Sequence, residues 1–114
     1  MKMKSVVYKY QIPFIESFKL DLPIGSKVIR VDCIDGFPSL WALVPCDQKE
    51  NVTYHFKASK TGGVIEHDVD LVYIDSYAIF IQMELMLYVF LEKITSSDQL
   101  ISNGNDYVNN GWIC

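Results

Sequence analysis

Residues 57–63, with the sequence KASKTGG, hold the densest group of side chains that could bind an anion. Glycine lets backbone N–H groups approach a phosphate closely, and lysine supplies positive charge. The segment lacks the length and the final Gly-Lys-Ser/Thr of a P-loop, so an ordinary hairpin loop is the alternative interpretation. The residues that we predict to contact a ligand or partner here are Lys57, Lys60, Thr61, Gly62 and Gly63.

The two histidines are the next candidates. His55 lies on the polar side of an alternating segment, and His67 stands between Glu66 and Asp68. A metal site or an acid–base pair would require the two imidazoles to converge on one point. We therefore keep both histidines as candidate ligand contacts, and the alternative is that each is a solvated surface side chain. We predict no metal site, since no two cysteines form a Cys-x-x-Cys pair.

Catalytic motifs are missing from the sequence. It contains no Gly-x-Ser-x-Gly elbow and no recognisable cysteine–histidine nucleophile motif. A small nuclease or hydrolase would have to bring together His55, His67, Asp68 and Asp70. We predict a protein that is not an enzyme and that requires no cofactor.

The composition is that of one folded domain. The 114 residues are half hydrophobic, which is enough for a single core. A net charge of -4 argues against non-specific DNA binding, which needs clustered lysine and arginine. The longest apolar stretch, residues 77–91, is shorter than the roughly 20 residues of a spanning helix, so we predict no membrane segment. An odd number of cysteines, Cys33, Cys46 and Cys114, predicts reduced thiols in the cytoplasm.

Alternation of apolar and polar residues dominates the chain and predicts strands. The predicted strands are residues 6–12, 18–22, 27–34, 37–44, 52–58, 71–80 and 86–93. Asp35-Gly36 lies between two of these runs and is typical of a tight hairpin turn. About seven short antiparallel strands predict an all-β or mainly β fold, either a small sandwich or a partly closed barrel.

Two segments leave alternatives open. Residues 79–91 are apolar on nearly every side and lack a Gly or Pro turn near Glu84, so a short buried helix is the alternative there. We divide the chain into a β domain at 1–94 and a polar C-terminal extension at 95–114, which ends in Trp112-Ile113-Cys114. An apolar end on a polar arm predicts docking of Trp112 on the protein's own body or on a neighbouring subunit. A homo-oligomer is therefore expected.

Several short blocks resemble a known family. They are Tyr8-Lys9-Tyr10, Leu22-Pro23-Ile24-Gly25-Ser26-Lys27-Val28, Leu40-Trp41-Ala42-Leu43-Val44-Pro45, Thr61-Gly62-Gly63-Val64-Ile65, Tyr73-Ile74 and Tyr88-Val89-Phe90. Over residues 6–93 the pattern resembles a family of small uncharacterised proteins encoded by phages, prophages and plasmids. A Gly-His-Pro-Ile element of that family is replaced by residues 62–65, so its histidine is absent here.

The resemblance implies a phage or mobile-element protein in the host cytoplasm. Without catalytic groups, we predict a non-enzymatic accessory protein that binds a host or defence component. Two mechanisms fit: occlusion of a protein by an acidic surface or an exposed strand edge, and sequestration of a nucleotide second messenger by the lysine- and glycine-containing loop. The alternative is a minor virion structural or assembly protein.

Overall fold

The computed structural model describes residues 2–97 and a short strand at 107–108. In these residues the chain forms strands, turns and loops, without a helix. The strands are β1 Ser5–Gln11, β2 Ser17–Pro23, β3 Lys27–Ile34, β4 Phe37–Pro45, β5 Asn51–Lys60, β6 Val72–Ile81, β7 Met83–Ser96 and β8 Tyr107–Val108. The all-β prediction is confirmed, and each of the predicted strands corresponds to one of β1–β7.

Two four-stranded antiparallel sheets form a sandwich. Sheet A has the order β3-β4-β1-β8, and sheet B has the order β2-β5-β7-β6. Consecutive strands are neighbours in the pairs β3–β4 and β6–β7. The β5–β6 connection stays within sheet B, where β7 lies between the two strands, and the remaining connections cross between the sheets. The sheets approach each other where β3 lies beside β6, and neither sheet closes into a barrel. Of the two predicted architectures, the sandwich is the one that forms.

The inward faces of the two sheets supply the core. On β5, Tyr54, Phe56 and Ala58 are buried, and Val52 is half-buried, as the alternation predicts. The ring of Phe56 stacks on Phe18 of β2, with the centroids 5.0 Å apart. Because outward side chains alternate with this row, β5 presents its polar residues on the outer face of sheet B.

Residues 79–91 form strands, so the helix alternative is wrong. Ile81 on β6 pairs with Met83 on β7, and Gln82 alone makes the turn with a φ of 65°. This left-handed conformation replaces the Gly or Pro that usually marks a turn. The sequence hides the turn because glutamine carries no turn signal.

One prediction about the cysteines is corrected. Cys33 is a half-buried free thiol, whereas Cys46 is disulfide-bonded. The spacing of cysteines in a sequence does not report the distances that folding creates, so the expectation of reduced thiols is wrong for Cys46. Trp112, the predicted contact in the C-terminal extension, lies outside the described residues. None of the described residues forms a helix long and apolar enough to cross a membrane.

Candidate functional site

The outer face of sheet B carries a group of basic side chains that we call the lysine patch. Lys19 on β2, His55 on β5 and Lys93 on β7 lie opposite one another in the strand register. Lys57 follows two residues along β5, on the same face. These four side chains border a pocket of about 350 Å³.

The lysines of this patch make no ion pair within the part of the chain that the structure describes. Glu92 borders the same pocket. The salt bridge found among the described residues lies elsewhere, between Arg30 and Asp32 on sheet A. His55 is held in place, since its Nε2 lies 2.8 Å from the Thr95 hydroxyl oxygen. The three lysines outnumber Glu92, the carboxylate that borders the same pocket, so this face attracts an anion.

A second pocket, of about 230 Å³, opens at one end of the sandwich and is called the end pocket. Its apolar lining includes Phe14 and Ile15 from the β1–β2 loop and Leu85 and Leu87 from β7. Tyr77 of β6 borders it with a side chain that is 4% exposed. Burial raises the pKa of the Tyr77 phenol to about 12, and the nearby Cys33 thiol adds to the shift, so the hydroxyl is protonated at neutral pH.

A third pocket, of about 260 Å³, lies at the edge of β5 between the other two and is called the edge pocket. It shares Glu16 and Ala58 with the end pocket, and it shares Ser17 and Lys57 with the pocket that the lysine patch borders. The Ala58 N–H donates to the Glu16 carbonyl over 2.8 Å, which holds the β1–β2 loop beside β5. Glu66 brings a second carboxylate to the edge pocket. Neighbouring pockets therefore share lining residues around β5, and we call the three pockets together the groove.

Part of the predicted site comes together in this groove. Lys57 borders the edge pocket and the lysine patch, and His55 belongs to the lysine patch. Lys60 and Gly63 line the end pocket. The predicted loop thus contributes to all three pockets rather than forming one phosphate cradle.

The remaining predicted residues in the described chain have local partners. The Thr61 hydroxyl donates to the Tyr88 hydroxyl over 3.2 Å, and Gly62 has a φ of 83° in the turn. The Nδ1–H of His67 donates to the Val69 carbonyl over 2.6 Å. These contacts shape the β5–β6 loop and do not place the three residues in the groove.

Gly63 has a steric reason to be glycine. Its N–H donates to the Lys60 carbonyl over 2.9 Å, which closes the turn after β5. A Cβ at this position would overlap the Ser59 hydroxyl and would lie 3.2 Å from the Lys60 carbonyl oxygen. The close approach therefore fixes Lys60 and Ser59 at the mouth of the end pocket.

The imidazoles of His55 and His67 contact different partners, one on β7 and one in the β5–β6 loop. No group of three or more His, Cys, Asp or Glu side chains that could hold a metal ion occurs among residues 2–97. The arrangement that the described chain does offer is chemically suited to binding: cations, carboxylates and apolar surface in adjoining pockets.

Several groove residues were missed from the sequence. Lys19 and Lys93 occupy outward positions of alternating strands, and the strand register alone places them beside His55. The alternation could have identified each as outward-facing, but not as neighbours. Tyr77 lies within an apolar run, where nothing distinguishes a pocket-lining residue from an ordinary core residue.

The structure is an all-β sandwich domain with an open pocket that lysines border on the outer face of sheet B. The chain belongs to the family described as Domain of unknown function (DUF7352), whose model matches residues 3–99. The matched range includes β1 to β7. No curated protein and no solved structure matches the chain.

Proposed function

We propose that this domain is a non-enzymatic accessory protein of a phage or mobile element, which acts in the host cytoplasm by sequestering a nucleotide signal. The lysine patch is the observation that supports this function, because it gathers three lysines, which form no ion pair among the described residues, around an open pocket. The origin is supported by the resemblance of the blocks at 22–28 and 40–45 to proteins of phages and plasmids.

The charge distribution suits a short anion better than a long nucleic acid. The whole chain has a net charge of -4, so its attraction for anions is confined to a local surface. Carboxylates of Glu16, Glu66 and Glu92 border the groove beside the lysines. A duplex would have to be neutralised at many phosphates, whereas a nucleotide needs two or three cations.

Isothermal titration calorimetry with ribonucleoside triphosphates and cyclic dinucleotides tests the proposal. We expect at least one of these ligands to bind. Lys57→Glu and Lys93→Glu should each weaken binding about tenfold or more, which corresponds to ~1.4 kcal/mol. Lys27→Glu is the matched control, since Lys27 is an exposed residue of β3 on sheet A. Failure of every nucleotide to bind, or equal losses in all three variants, would contradict the proposal.

Protein occlusion is the second candidate, and the tip of the β6–β7 hairpin favours it. Phe80, Ile81 and Met83 are 76%, 52% and 69% exposed. Exposed apolar side chains grouped on a projecting hairpin are typical of a protein contact. This candidate predicts that Phe80→Ser with Met83→Ser abolishes binding to a purified host target, while Val64→Ser, at an apolar residue that is 89% exposed, does not. Recovery of the protein in purified particles would instead favour a virion or assembly function.

A further inference from the structure

We propose that the groove binds a ribonucleotide in one orientation, with the base in the end pocket, the ribose hydroxyls in the edge pocket and the phosphates on the lysine patch. The inference rests on the proposed function and assigns each part of the ligand to a compartment. Its basis is the order of chemistry along the groove, which runs from apolar to carboxylate-bearing to cationic. A nucleotide presents a ring, hydroxyls and anions in that same order.

The size and lining of the end pocket suit a planar ring. An apolar cavity of about 150 Å³ is enough to bind benzene. The end pocket has about 230 Å³, which adds space for the ring substituents of a base. Drug-sized ligands usually occupy roughly 300–1,000 Å³, so this compartment holds one part of a ligand rather than all of it.

Tyr77 gives the end pocket a polar group that needs a partner. Its hydroxyl forms no hydrogen bond among residues 2–97, although the residue is 4% exposed. No side-chain nitrogen or oxygen in the described chain is both fully buried and unpartnered, so this hydroxyl keeps contact with open space. The end pocket is the open space that Tyr77 borders. A ring nitrogen or carbonyl of a base would supply the missing hydrogen bond.

The edge pocket suits the ribose and disfavours phosphate. Glu16 and Glu66 border it with two carboxylates, and Ser17 adds a hydroxyl. Carboxylates accept hydrogen bonds from ribose hydroxyls in nucleotide-binding proteins. The same carboxylates repel phosphate, which leaves the lysine patch as the position for the anionic end.

The end pocket and the lysine patch are separated along β5. Lys60 lines the end pocket, and His55 belongs to the lysine patch. Both residues are on β5. The strand rises about 3.4 Å per residue, so the two positions are about 17 Å apart along the strand. Side chains five residues apart leave a strand on opposite faces, so a nucleotide that joins the two compartments would pass around β5 through the edge pocket.

An aromatic pair on the outer face of sheet B is the competing position for the base. Phe90 lies opposite Lys57 in register, and Tyr73 follows it on β6. Their rings meet edge to face with centroids 5.7 Å apart, so each ring already has an aromatic partner. The pair also lacks the enclosure that the end pocket provides, which is why we assign the base to the pocket.

Calorimetry with four matched probes tests the inference: ATP, 2′-deoxy-ATP, ribose 5-phosphate and inorganic tripolyphosphate, with GTP, CTP and UTP replacing ATP to find the preferred base. We expect the preferred ribonucleotide to bind at least about tenfold more tightly than its 2′-deoxy form and than tripolyphosphate, a difference of ~1.4 kcal/mol. Tyr77→Phe should weaken ribonucleotide binding and leave tripolyphosphate binding unchanged. Glu66→Gln, at an exposed residue, should remove the preference for ribose.

The outcomes separate this inference from the proposed function. If tripolyphosphate and the ribonucleotide bind equally, the assignment of the base is wrong while the lysine patch remains an anion site. If Tyr73→Leu removes the contribution of the base and Tyr77→Phe does not, the base lies on the outer face and the inference is overturned. If none of the probes binds, this inference is overturned, and if cyclic dinucleotides also fail to bind, the proposed function fails as well.

Discussion

The carboxylate of Asp75 accepts a hydrogen bond from the backbone N–H of Val31, with 2.9 Å between Oδ2 and the nitrogen. Val31 lies on β3 at the edge of sheet A, and Asp75 lies on β6 at the edge of sheet B. The other carboxylate oxygen accepts the N–H of Ser76, which fixes the side chain. A bulge between Tyr73 and Asp75 sets this orientation. One side chain thus joins the two sheets and satisfies a donor on an open strand edge.

Replacement of Asp75 by alanine should lower the free energy of unfolding by about 1–3 kcal/mol, because the Val31 N–H loses its acceptor. Asp75→Asn is the control, since it keeps an acceptor oxygen and should lose less. Urea denaturation measures both. An Asp75→Ala protein as stable as the parent would show that this N–H finds another acceptor.

The turn at Gln82 predicts a gain in stability. Gln82 has a φ of 65°, a region that costs a residue with a Cβ about 1–2 kcal/mol. Gln82→Gly should therefore raise the free energy of unfolding by about 0.5–1 kcal/mol, after the backbone entropy of glycine is subtracted. Asp35→Gly, at a turn residue with a φ of 52°, should gain less because aspartate tolerates this conformation better. Thermal unfolding of both variants provides the comparison, and a destabilised Gln82→Gly would contradict the prediction.

These turns also show how far the sequence predicts the fold. The Asp35-Gly36 turn and the period-two alternation predicted the bounds of β3 and β4 to within one residue. The β6–β7 hairpin was left open between strand and helix because Gln82 occupies a conformation that its residue type does not announce. Pairing of β5 with β2 and β7 follows from long-range packing, which no local pattern encodes.

Arg30 controls the titration of Asp32. Its guanidinium donates to Asp32 Oδ2 over 2.6 Å and, with help from the Cys33 N–H, lowers the pKa of that carboxyl below 3.8. Arg30→Gln should raise the Asp32 pKa towards 3.8, and NMR titration measures it. The stabilisation from this carboxylate is present above pH 3.8 and is lost as the pH falls through the folded-state pKa. Arg30→Lys keeps the charge and should show a smaller rise; an unchanged pKa in Arg30→Gln would refute the assignment.

Tyr77 predicts a loss of stability in alkali. Burial raises its pKa from 10.0 to about 12, so above pH 10 the unfolded chain ionises this phenol before the folded protein does. The stability from the neutral phenol is complete below pH 10 and is lost as the pH rises through about 12. Urea denaturation across this interval should show the decline, and Tyr77→Phe should reduce it. Burial also raises the pKa of Tyr54, so the Tyr77→Phe protein should keep part of the loss of stability in alkali. If Tyr77→Phe lost as much stability as the parent over this pH interval, Tyr77 would be excluded as a cause.

The candidate site was less accessible to sequence reasoning than the fold. His55 stood out because a polar residue in an alternating strand faces outward, and Lys57 stood out because it begins a segment rich in lysine and glycine. Their neighbours Lys19 and Lys93 come from strands far away in the chain, and the β5 register brings them together. In the sequence, Tyr77 was indistinguishable from a core tyrosine. The end pocket that it lines is completed by the β1–β2 loop, which is distant from Tyr77 along the chain.

The order of the strands affects how the nascent chain can fold. The hairpins β3–β4 and β6–β7 can form as they leave the ribosome, since each joins consecutive strands. β1, by contrast, stays without a partner until β4 has been synthesised, and β5 keeps an open edge until β7 follows it. Pairing between distant strands slows folding to roughly milliseconds to seconds. We therefore expect that pauses in translation between β5 and β7 would promote association between unfinished chains.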